Sequence, residues 1–280
     1  MKALLLGSLV ASLLSFSAAQ TSTPATHKSS PTIIAIVAHA DDTLTFGPLL
    51  ARYSRQGAKV YLVAVASEET PNSGRPATPG GPHGKELTRI VSDETRCACR
   101  ELGIESPILL KFEDGKLGQV TRPPWDYLTK VKSEISKVFQ QLRPDVVVTS
   151  GPEGIYGHPD HRLVGAVVTE LVQSGAEGAP AQLLYPGFPK ERLSAWHAQE
   201  PFSFVENRFL TVRVSYSEAD RIAFRKAFAC YKSQFRSDEM ESYSKQLEDV
   251  WAGHIYLRPW FGSEKSEDLF KFHSEGSSPN

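Results

Sequence analysis

Sulfur-containing residues are scarce in this sequence of 280 residues, which has three cysteines and two methionines. Cys97 and Cys99 lie two positions apart in a helical pattern, so their side chains point to different faces and cannot easily pair with each other. The positions of these residues and of Cys230 match no structural zinc pattern. We therefore expect hydrophobic burial, and not disulfides, to hold most of the core.

An excess of charge of either sign is also absent, because 31 lysines and arginines stand against 32 aspartates and glutamates. Proteins that bind the phosphate backbone of nucleic acids carry a strongly basic patch or stripe, and the sequence shows none. We therefore expect no nucleic-acid partner. The hydrophobic share of 40% and the charged share of 22% are typical of a globular protein.

Hydrophobic runs long enough to span a membrane, which need about 20 residues, are absent as well. The longest run, Ala3 to Phe16, follows Lys2 and precedes the small residues Ser17-Ala18-Ala19. This order is typical of a secretory signal peptide. We predict a signal peptide over residues 1–19, a flexible lead-in rich in Ser, Thr and Pro over 20–30, and export to the periplasm or the extracellular space.

From Thr32 onwards, buried strands alternate with helices. Continuous apolar, β-branched runs are typical of strands that are covered on both faces. The predicted strands are Ile33 to Ala38, Lys59 to Ala66, Pro107 to Phe112 and Asp145 to Thr149, and the predicted helices are 43–56, 85–102, 127–142 and 160–173. This alternation predicts a single α/β domain, a Rossmann-like three-layer sandwich with a mostly parallel sheet.

The rest of the chain is less regular. The stretch from Ser67 to Gly84 is rich in Pro and Gly, and a loop of this length is predicted to form a flexible rim over a site. Residues 202–214 are predicted to form a longer strand or a hairpin, and 218–235 a helix. We place the domain over 31–237 and treat 238–280 as a C-terminal extension that packs on it and has a disordered end.

Two polar clusters follow predicted strands. The first strand leads into His39, Asp41 and Asp42, and the fourth leads through a glycine-rich loop into His158 and His161. Ligands of open α/β sheets bind at the carboxyl ends of the strands. Both clusters are therefore expected at the edge of the sheet where substrate binds.

The spacing within each cluster suits a metal ion. Residues three apart fall on the same side of a helical turn, which applies to His39 and Asp42 and again to His158 and His161. Two imidazoles and one carboxylate make a three-ligand site that leaves positions open for water and substrate, as in catalytic zinc sites. Asp41 points elsewhere and is free to act as a general base. Taken singly, the aspartates could cap the next helix and the histidines could form a polar turn, but their joint occurrence favours a metal site.

At these motifs the chain resembles the LmbE-like, or PIG-L, superfamily of zinc-dependent de-N-acetylases. The first motif of that superfamily reads Ala-His-Pro-Asp-Asp and the second His-Pro-Asp-His, and the resemblance extends from about Ile33 to Val172. Further similar positions are Arg89 and Glu94, Phe112 to Gly115, Arg143 to Asp145 and, more weakly, Ser233-Gln234. Members of the superfamily include deacetylases of N-acetylglucosamine on phosphatidylinositol, on a bacterial thiol precursor, and on antibiotic or chitin-derived sugars.

The resemblance implies a role for each residue of the two motifs. The implied metal ligands are His39, Asp42 and His161, and Asp41 would be the base that activates water. His158 would stabilise the tetrahedral intermediate or protonate the leaving amine. Asp160 would orient a histidine ligand from outside the metal site.

Further roles implied by the resemblance concern the substrate. Tyr156 matches a tyrosine that helps to polarise the substrate carbonyl, but a loop aromatic that covers the core is an equal alternative. Arg89 and Asp114 match positions that contact the sugar, although a surface ion pair of Arg89 with Glu86 or Asp93 explains that arginine equally well. The aromatic cluster 251–261 is interpreted as packing of the tail in preference to a sugar-stacking platform.

Two residues depart from the superfamily pattern. Ala40 replaces the usual proline, which loosens the turn but removes no chemical group. Thr43 replaces a glutamate that is not a metal ligand. The core chemistry is therefore retained, while the fine tuning of the site is open.

The function predicted from the sequence is that of a metal-dependent hydrolase, a zinc-dependent N-deacetylase acting on a small N-acetylated substrate of the sugar type. Fe²⁺ is an alternative to Zn²⁺, because imidazole and carboxylate ligands suit both ions. Oligomeric state is not readable from the sequence. A non-catalytic sugar- or metal-binding protein on the same fold is the alternative function. An aspartyl phosphatase fits poorly, because it needs an Asp-x-Asp pair and Asp41 and Asp42 are adjacent.

Overall fold

The computed structural model describes residues 30–69, 81–120, 123–192 and 202–261. The predicted signal peptide and nearly all of the predicted lead-in lie outside these residues. The predicted disordered end and most of the predicted rim loop, residues 70–80, also lie outside them.

Seven strands form one twisted sheet in the order β3-β2-β1-β4-β5-β9-β8. The first five strands are parallel, while β9 pairs antiparallel with β5 and β8 antiparallel with β9. The strands are β1 (Thr32–Val37), β2 (Lys59–Glu68), β3 (Ile108–Glu113), β4 (Val146–Thr149), β5 (Gln182–Pro186), β6 (Phe188–Pro189), β7 (Phe204–Val205), β8 (Val212–Ser215) and β9 (His254–Pro259), of which β6 and β7 form a separate pair. The predicted mostly parallel sheet is confirmed.

Helices connect the strands, and the first connection differs from the prediction. The helices are α1 (Gly47–Arg55), α2 (Gly84–Leu102), α3 (Asp126–Leu142), α4 (Gly154–Gly157), α5 (Pro159–Gln173), α6 (Glu218–Phe228) and α7 (Ser237–Trp251). In place of one helix over 43–56, a 3-10 helix, Ala40–Thr45, precedes α1. Pro48 explains the break, because proline lacks an N–H and is favoured in the first turn of a new helix.

The C-terminal part of the chain belongs to the sheet. The predicted strand or hairpin over 202–214 is divided into β7, a 3-10 turn (Asn207–Phe209) and β8, and the predicted helix over 218–235 ends at Phe228. Strand β9 lies between β5 and β8. Residues 254–259 are therefore an integral part of the sheet and do more than pack against a finished domain.

The core lies in two layers, one on each face of the sheet. Because side chains alternate across a strand, Ala35 and Val37 of β1 face one layer and Ile34 and Ile36 the other. Helices α1, α2, α6 and α7 cover the first face, and α3 and α5 cover the second. Trp251 is buried in the first layer, which agrees with the packing interpretation of the aromatic cluster. The three-layer sandwich is confirmed.

A disulfide joins two distant parts of the first layer. Cys97 on α2 is bonded to Cys230, which follows α6, across 133 positions of sequence, while Cys99 is a buried free thiol. The sequence pattern excluded a Cys97–Cys99 bond correctly but did not predict this one, because the partner is brought close only by the packing of α6 on α2.

Among the described residues, no helix combines the length and the apolar character that are needed to cross a membrane.

Candidate active site

The first half of the site is the turn that follows β1. His39 is the residue before the 3-10 helix Ala40–Thr45, and its backbone is extended. Its N–H donates to Asp42 Oδ2 at 2.8 Å, and the Asp42 N–H donates to the His39 carbonyl at 3.3 Å. This reciprocal pair resembles a capping box, so the turn itself holds the Asp42 carboxylate in place beside His39.

The second half is the N-terminus of α5, which follows β4. His158 caps this helix, since its Nδ1 accepts the N–H of Asp160 at 3.2 Å. His161 lies one turn further on and is fully buried. Its Nδ1 lies 3.1 Å from the Gly154 carbonyl oxygen, and because a carbonyl only accepts, His161 Nδ1 is the donor.

The two halves meet because β1 and β4 are neighbours in the sheet. His39 Nδ1 lies 3.1 Å from His161 Nε2, and Asp42 Oδ1 lies 3.0 Å from the same His161 nitrogen. His39 Nδ1 is 3.7 Å from Asp42 Oδ2. The structure thus brings together the three ligands that were predicted from two motifs more than a hundred residues apart.

These three residues fit a cation. Atoms bound to one tetrahedral Zn²⁺ at about 2.0–2.1 Å stand roughly 3.3 Å apart, which matches the observed separations. Because Nδ1 donates to the Gly154 carbonyl, the neutral form of the His161 ring presents a lone pair on Nε2 towards the Asp42 carboxylate. A lone pair and a carboxylate repel each other unless a cation or a proton lies between them. The donor set therefore suits a divalent metal ion.

The far side of His39 faces two carboxylates. Asp114 Oδ1 lies 2.7 Å and Asp160 Oδ2 3.5 Å from His39 Nε2, and these three residues also have a spacing that could hold a metal ion. With a metal at Nδ1, carboxylates close to Nε2 favour the proton on that nitrogen. Asp160 also accepts the N–H groups of Gly115 and Gly118 at 2.8 and 2.6 Å, so it fixes the loop after β3 beside the ring.

The charges of the cluster depend on one another. Burial opposes a positive charge on His39, but the carboxylates of Asp114, Asp160 and Asp42 outweigh it and hold the pKa of His39 well above its usual value. Burial also opposes the charge of Asp42, yet the two imidazoles hold its pKa far below the usual range. The centre therefore retains a carboxylate and attracts positive charge.

Asp41 has a different environment from its neighbour. Burial, together with repulsion from Asp42, raises the pKa of Asp41 to about 6. It lines the cavity described below and has no place among the three close contacts of the cluster. A carboxylate with a pKa near neutrality is suited to take and return a proton.

His158 lies beside the cluster. A nitrogen of this ring and nitrogens of His39 and His161 lie within 4.8 Å of one another, so it could serve as a ligand by distance alone. Its Nδ1 is already occupied by the Asp160 N–H, and burial, reinforced by the two other imidazoles, lowers its pKa. The neutral ring then carries its proton on Nε2, which makes it a hydrogen-bond donor rather than a metal ligand.

A cavity of about 560 Å³ opens over the cluster. Its floor includes Asp41, His158 and Asp114, and its walls carry aromatic side chains, namely Tyr156, Phe202, Tyr231, Phe235 and Tyr243, beside aliphatic ones. Among the described residues that line it, no lysine or arginine is present. The described lining therefore combines acidic side chains with many aromatic and aliphatic ones.

Tyr156 stands at the mouth of this cavity with 38% of its surface exposed. Its ring centre lies 5.1 Å from that of His161 and 5.8 Å from that of Phe202. The residue before it, Ile155, has a φ of 65°, which is rare for a β-branched residue and is typical of functional sites. The structure thus favours a place for Tyr156 in the cavity over a place in the core.

The two predicted sugar contacts have different outcomes. Asp114 lines the cavity but is engaged with His39. Arg89 has a side chain that is 71% exposed, pairs with Asp93 at 3.4 Å, and is not among the residues that line the cavity. Arg89 therefore forms the surface ion pair with Asp93 that was one of its two predicted roles. It does so because it lies on the outer face of α2.

The sequence pattern did not predict that residues after α6 form part of the cavity wall. Tyr231, Gln234, Phe235 and Tyr243 line the cavity, and only the weak similarity at Ser233-Gln234 pointed to this region. These residues follow α6 or belong to α7, and no periodic pattern marks them as site residues.

The protein is therefore a doubly wound α/β domain with a candidate metal centre at the carboxyl edge of its sheet. Residues 34–172 match the model of the PIG-L family, described as GlcNAc-PI de-N-acetylase, and the chain belongs to this family. It is 30% identical over 174 residues to a 1D-myo-inositol 2-acetamido-2-deoxy-alpha-D-glucopyranoside deacetylase of Mycobacterium leprae, covering 57% of this chain and 56% of that protein. The chain thus spans little more than half the length of this relative.

Solved structures share the fold. The N,N'-diacetylchitobiose deacetylase of Pyrococcus horikoshii aligns with a TM-score of 0.60 at 17% identity, covering 83% of this chain and 84% of that one. A 4-carboxy-2-hydroxymuconate hydratase of Pseudomonas putida aligns with a TM-score of 0.58 at 14% identity, covering 85% and 99%. Because the same fold occurs with a different reaction, the fold alone does not decide the activity.

Proposed function

We propose that this protein is a metal-dependent amide hydrolase that removes the acetyl group from an N-acetylated amino sugar. The observation that carries the proposal is the convergence of His39 Nδ1, Asp42 and His161 Nε2 within 3.0 to 3.7 Å, with the unengaged carboxylate of Asp41 beside them. The deacetylases among its relatives support this reaction over others on the same fold.

Each side chain has a role that follows from its surroundings. His39, Asp42 and His161 would hold a divalent metal ion, which would supply a Lewis acid to polarise the amide carbonyl and to make water more acidic. Asp41 takes the proton of the attacking water, for which a pKa of about 6 is suitable. His158 presents Nε2–H to the oxygen or nitrogen that gains charge as the amide bond breaks.

The substrate class is proposed from the cavity and from the relatives. A volume of about 560 Å³ is within the range of small-molecule sites, and aromatic walls suit the apolar faces of sugar rings. The described lining holds carboxylates but no lysine or arginine, so an uncharged N-acetylglucosamine derivative fits better than a phosphorylated one. We propose Zn²⁺ as the ion, with Fe²⁺ as the alternative.

Acetate release tests the activity. Protein freed of metal with a chelator receives one equivalent of Zn²⁺ or Fe²⁺ and is incubated with N-acetylglucosamine, N,N'-diacetylchitobiose and an aryl N-acetylglucosaminide, with N-acetylglucosamine 6-phosphate as the charged comparison. We expect turnover only with metal, and the lowest kcat/KM for the phosphate. No release from any substrate by metal-loaded protein would contradict the proposal.

The Asp41→Asn variant separates catalysis from binding. We expect kcat to fall by about 10²–10⁴-fold, the usual contribution of a general base, while the Kd for Zn²⁺ changes little because Asp41 is not a ligand. His161→Ala should lose Zn²⁺ affinity as well. The matched control is Asp93→Asn, which changes an exposed aspartate on α2 and should leave both quantities unchanged. Zn²⁺ and sugar binding with no turnover by the parent protein would instead favour a non-catalytic binding protein.

We also propose that the protein acts outside the reducing cytoplasm. The Cys97–Cys230 bond supports this location, since disulfides persist in oxidising compartments, and it agrees with the signal peptide predicted from residues 1–19. Fractionation of the native host, with an antibody against the folded domain, tests the location. Recovery of the protein with the cytoplasmic markers, with both cysteines reduced, would contradict it.

A further inference from the structure

The turn that carries Asp41 and Asp42 is held from within by hydrogen bonds between His39 and Asp42 and by the hydroxyl groups of Thr43 and Thr45. It is a 3-10 helix of six residues, although such helices rarely exceed three or four residues because their hydrogen-bond geometry is poor. Its first residue is Ala40, whose φ is not locked as that of a proline is. The turn nevertheless has to hold a metal ligand and a base in two different directions.

Two hydroxyl groups converge on the carbonyl of Ala40. Thr43 Oγ1 donates to it at 2.8 Å from within the turn, and Tyr231 Oη donates to it at 3.1 Å from 191 positions away in the sequence. Tyr231 is fully buried, and burial, reinforced by the nearby charge of Asp41, raises its pKa well above the usual value. The hydroxyl therefore remains protonated and stays a donor.

The segment around Tyr231 is itself fastened to α2. The neighbouring Cys230 is bonded to Cys97. On the other side, the Glu94 carboxylate accepts the Ser233 N–H at 2.8 Å and the Ser233 Oγ–H at 2.6 Å. Hydrogen bonds to a charged acceptor are stronger than neutral ones. A covalent bond and a charged acceptor thus hold the segment around Tyr231 on both sides of this residue.

We propose that Tyr231 is a positioning residue: its hydroxyl fixes the Ala40 carbonyl, and through it the directions of Asp41 and Asp42, in a turn that lacks the rigidity of a proline. The expected effect on kcat rests on the proposed function. The expected effect on Zn²⁺ affinity rests on the metal site alone. Three contacts together connect α2 to the turn that carries Asp41 and Asp42. They are the Cys97–Cys230 bond, the hydrogen bonds between Glu94 and Ser233, and the hydrogen bond from Tyr231 to Ala40.

The Tyr231→Phe variant removes only the hydroxyl oxygen. Groups that orient metal ligands typically account for about 10–100-fold in metal affinity or activity, so we expect the Kd for Zn²⁺ to rise by about 10-fold. At saturating Zn²⁺ we expect kcat to fall by a similar factor, with KM unchanged, because the cavity wall keeps its ring. The Kd is measured by competition with a chromophoric chelator, and it needs no substrate.

Tyr185→Phe is the matched control. Tyr185 is also buried, and its hydroxyl is 2.6 Å from Thr169 Oγ1 in the core layer on the other face of the sheet. The same oxygen is lost there, so we expect a comparable fall in the free energy of unfolding with no change in Kd, kcat or KM.

A double-mutant cycle with Thr43→Val tests the shared carbonyl. Each hydroxyl partly compensates for the loss of the other, so we expect the double variant to lose more Zn²⁺ affinity than the product of the two single effects. If Tyr231→Phe lowers only the stability and behaves like Tyr185→Phe in Zn²⁺ binding and kcat, the inference is overturned. If the proposed function itself is wrong, the parent protein neither binds Zn²⁺ nor releases acetate, so the two failures can be told apart.

Discussion

Asp220 is a buried carboxylate in the first turn of helix α6. It accepts the N–H and the Oγ–H of Ser217, both at 2.7 Å, and two N–H groups of Arg55 at 3.1 Å. Ser217 Oγ in turn accepts the Asp220 N–H, which completes a capping box. Burial opposes the charge of Asp220, but Arg55 and Ser217 outweigh it and lower its pKa.

Asp220→Ala should therefore reduce the free energy of unfolding by about 1–2 kcal/mol, the usual effect of losing a helix cap. A lowered pKa means that the folded state favours the ionised form. The stabilisation is therefore complete above the pKa of the unfolded chain, about 3.9, and is lost as the pH falls through the folded-state pKa. Urea unfolding from pH 7 to pH 3 measures the difference between parent and variant.

Asp238→Ala is the control for this position, because its pair with Arg236 is exposed on both sides and such pairs contribute little. We expect nearly unchanged stability at every pH. A parent-to-variant difference for Asp220 that stays constant down to pH 3 would show that its charge does not stabilise the fold.

Helix α5 approaches the end of β4 closely at one position. A Cβ on Gly165 would lie 2.2 Å from the carbonyl oxygen of Ser150 and 3.1 Å from its carbon. These are backbone atoms that cannot move aside alone. Because the same helix carries His161 at its start, the close approach of α5 to β4 sets where this ligand lies relative to β1.

Gly165→Ala should destabilise the fold by about 1–3 kcal/mol, as overpacking does, and should weaken Zn²⁺ binding because α5 is displaced. Helix propensity acts in the opposite direction, since alanine is favoured over glycine by about 1 kcal/mol. Ala166→Gly on the exposed side of α5 is the control and should lower stability without changing the Kd for Zn²⁺. A Gly165→Ala protein at least as stable as the parent in urea would contradict the packing argument.

At the scale of the whole molecule, the Cys97–Cys230 bond closes a loop over 133 positions of sequence. Cross-linking residues so far apart restricts the unfolded chain, and bonds of this kind contribute about 2–4 kcal/mol. We expect the double variant Cys97→Ser, Cys230→Ser to unfold at a lower urea concentration by a corresponding amount. Reductant should lower the midpoint of the parent protein but not that of the variant.

Cys99→Ala is the comparison for this experiment. Burial raises the pKa of the Cys99 thiol to about 12, so it does not exchange with the disulfide, and the variant should still respond to reductant as the parent does. Insensitivity of the parent protein to reductant would show that the bond does not stabilise the fold.

The grouping of the two motifs into one candidate site was predictable because each half of the site is local. His39 with Asp42, and His158 with His161, are three positions apart, and a turn at the end of a strand brings such residues to one side. Buried strands before both halves indicated the same edge of the sheet. For Arg89 a sugar contact and a surface ion pair were equal predictions, because the sequence around it defines a helix but does not say which helix face turns towards the cavity.

The parallel α/β architecture and the two halves of the site follow from the sequence, since strand burial and residue spacing depend on neighbours within a turn or two of chain. The folded structure was needed to learn that Asp114 lies against His39, that Cys97 pairs with Cys230, and that Tyr231 reaches Ala40. The physical reason is that these contacts join residues separated by 75 to 191 positions. Such contacts form only when whole helices and strands have packed, and no local periodicity encodes which side chains then meet.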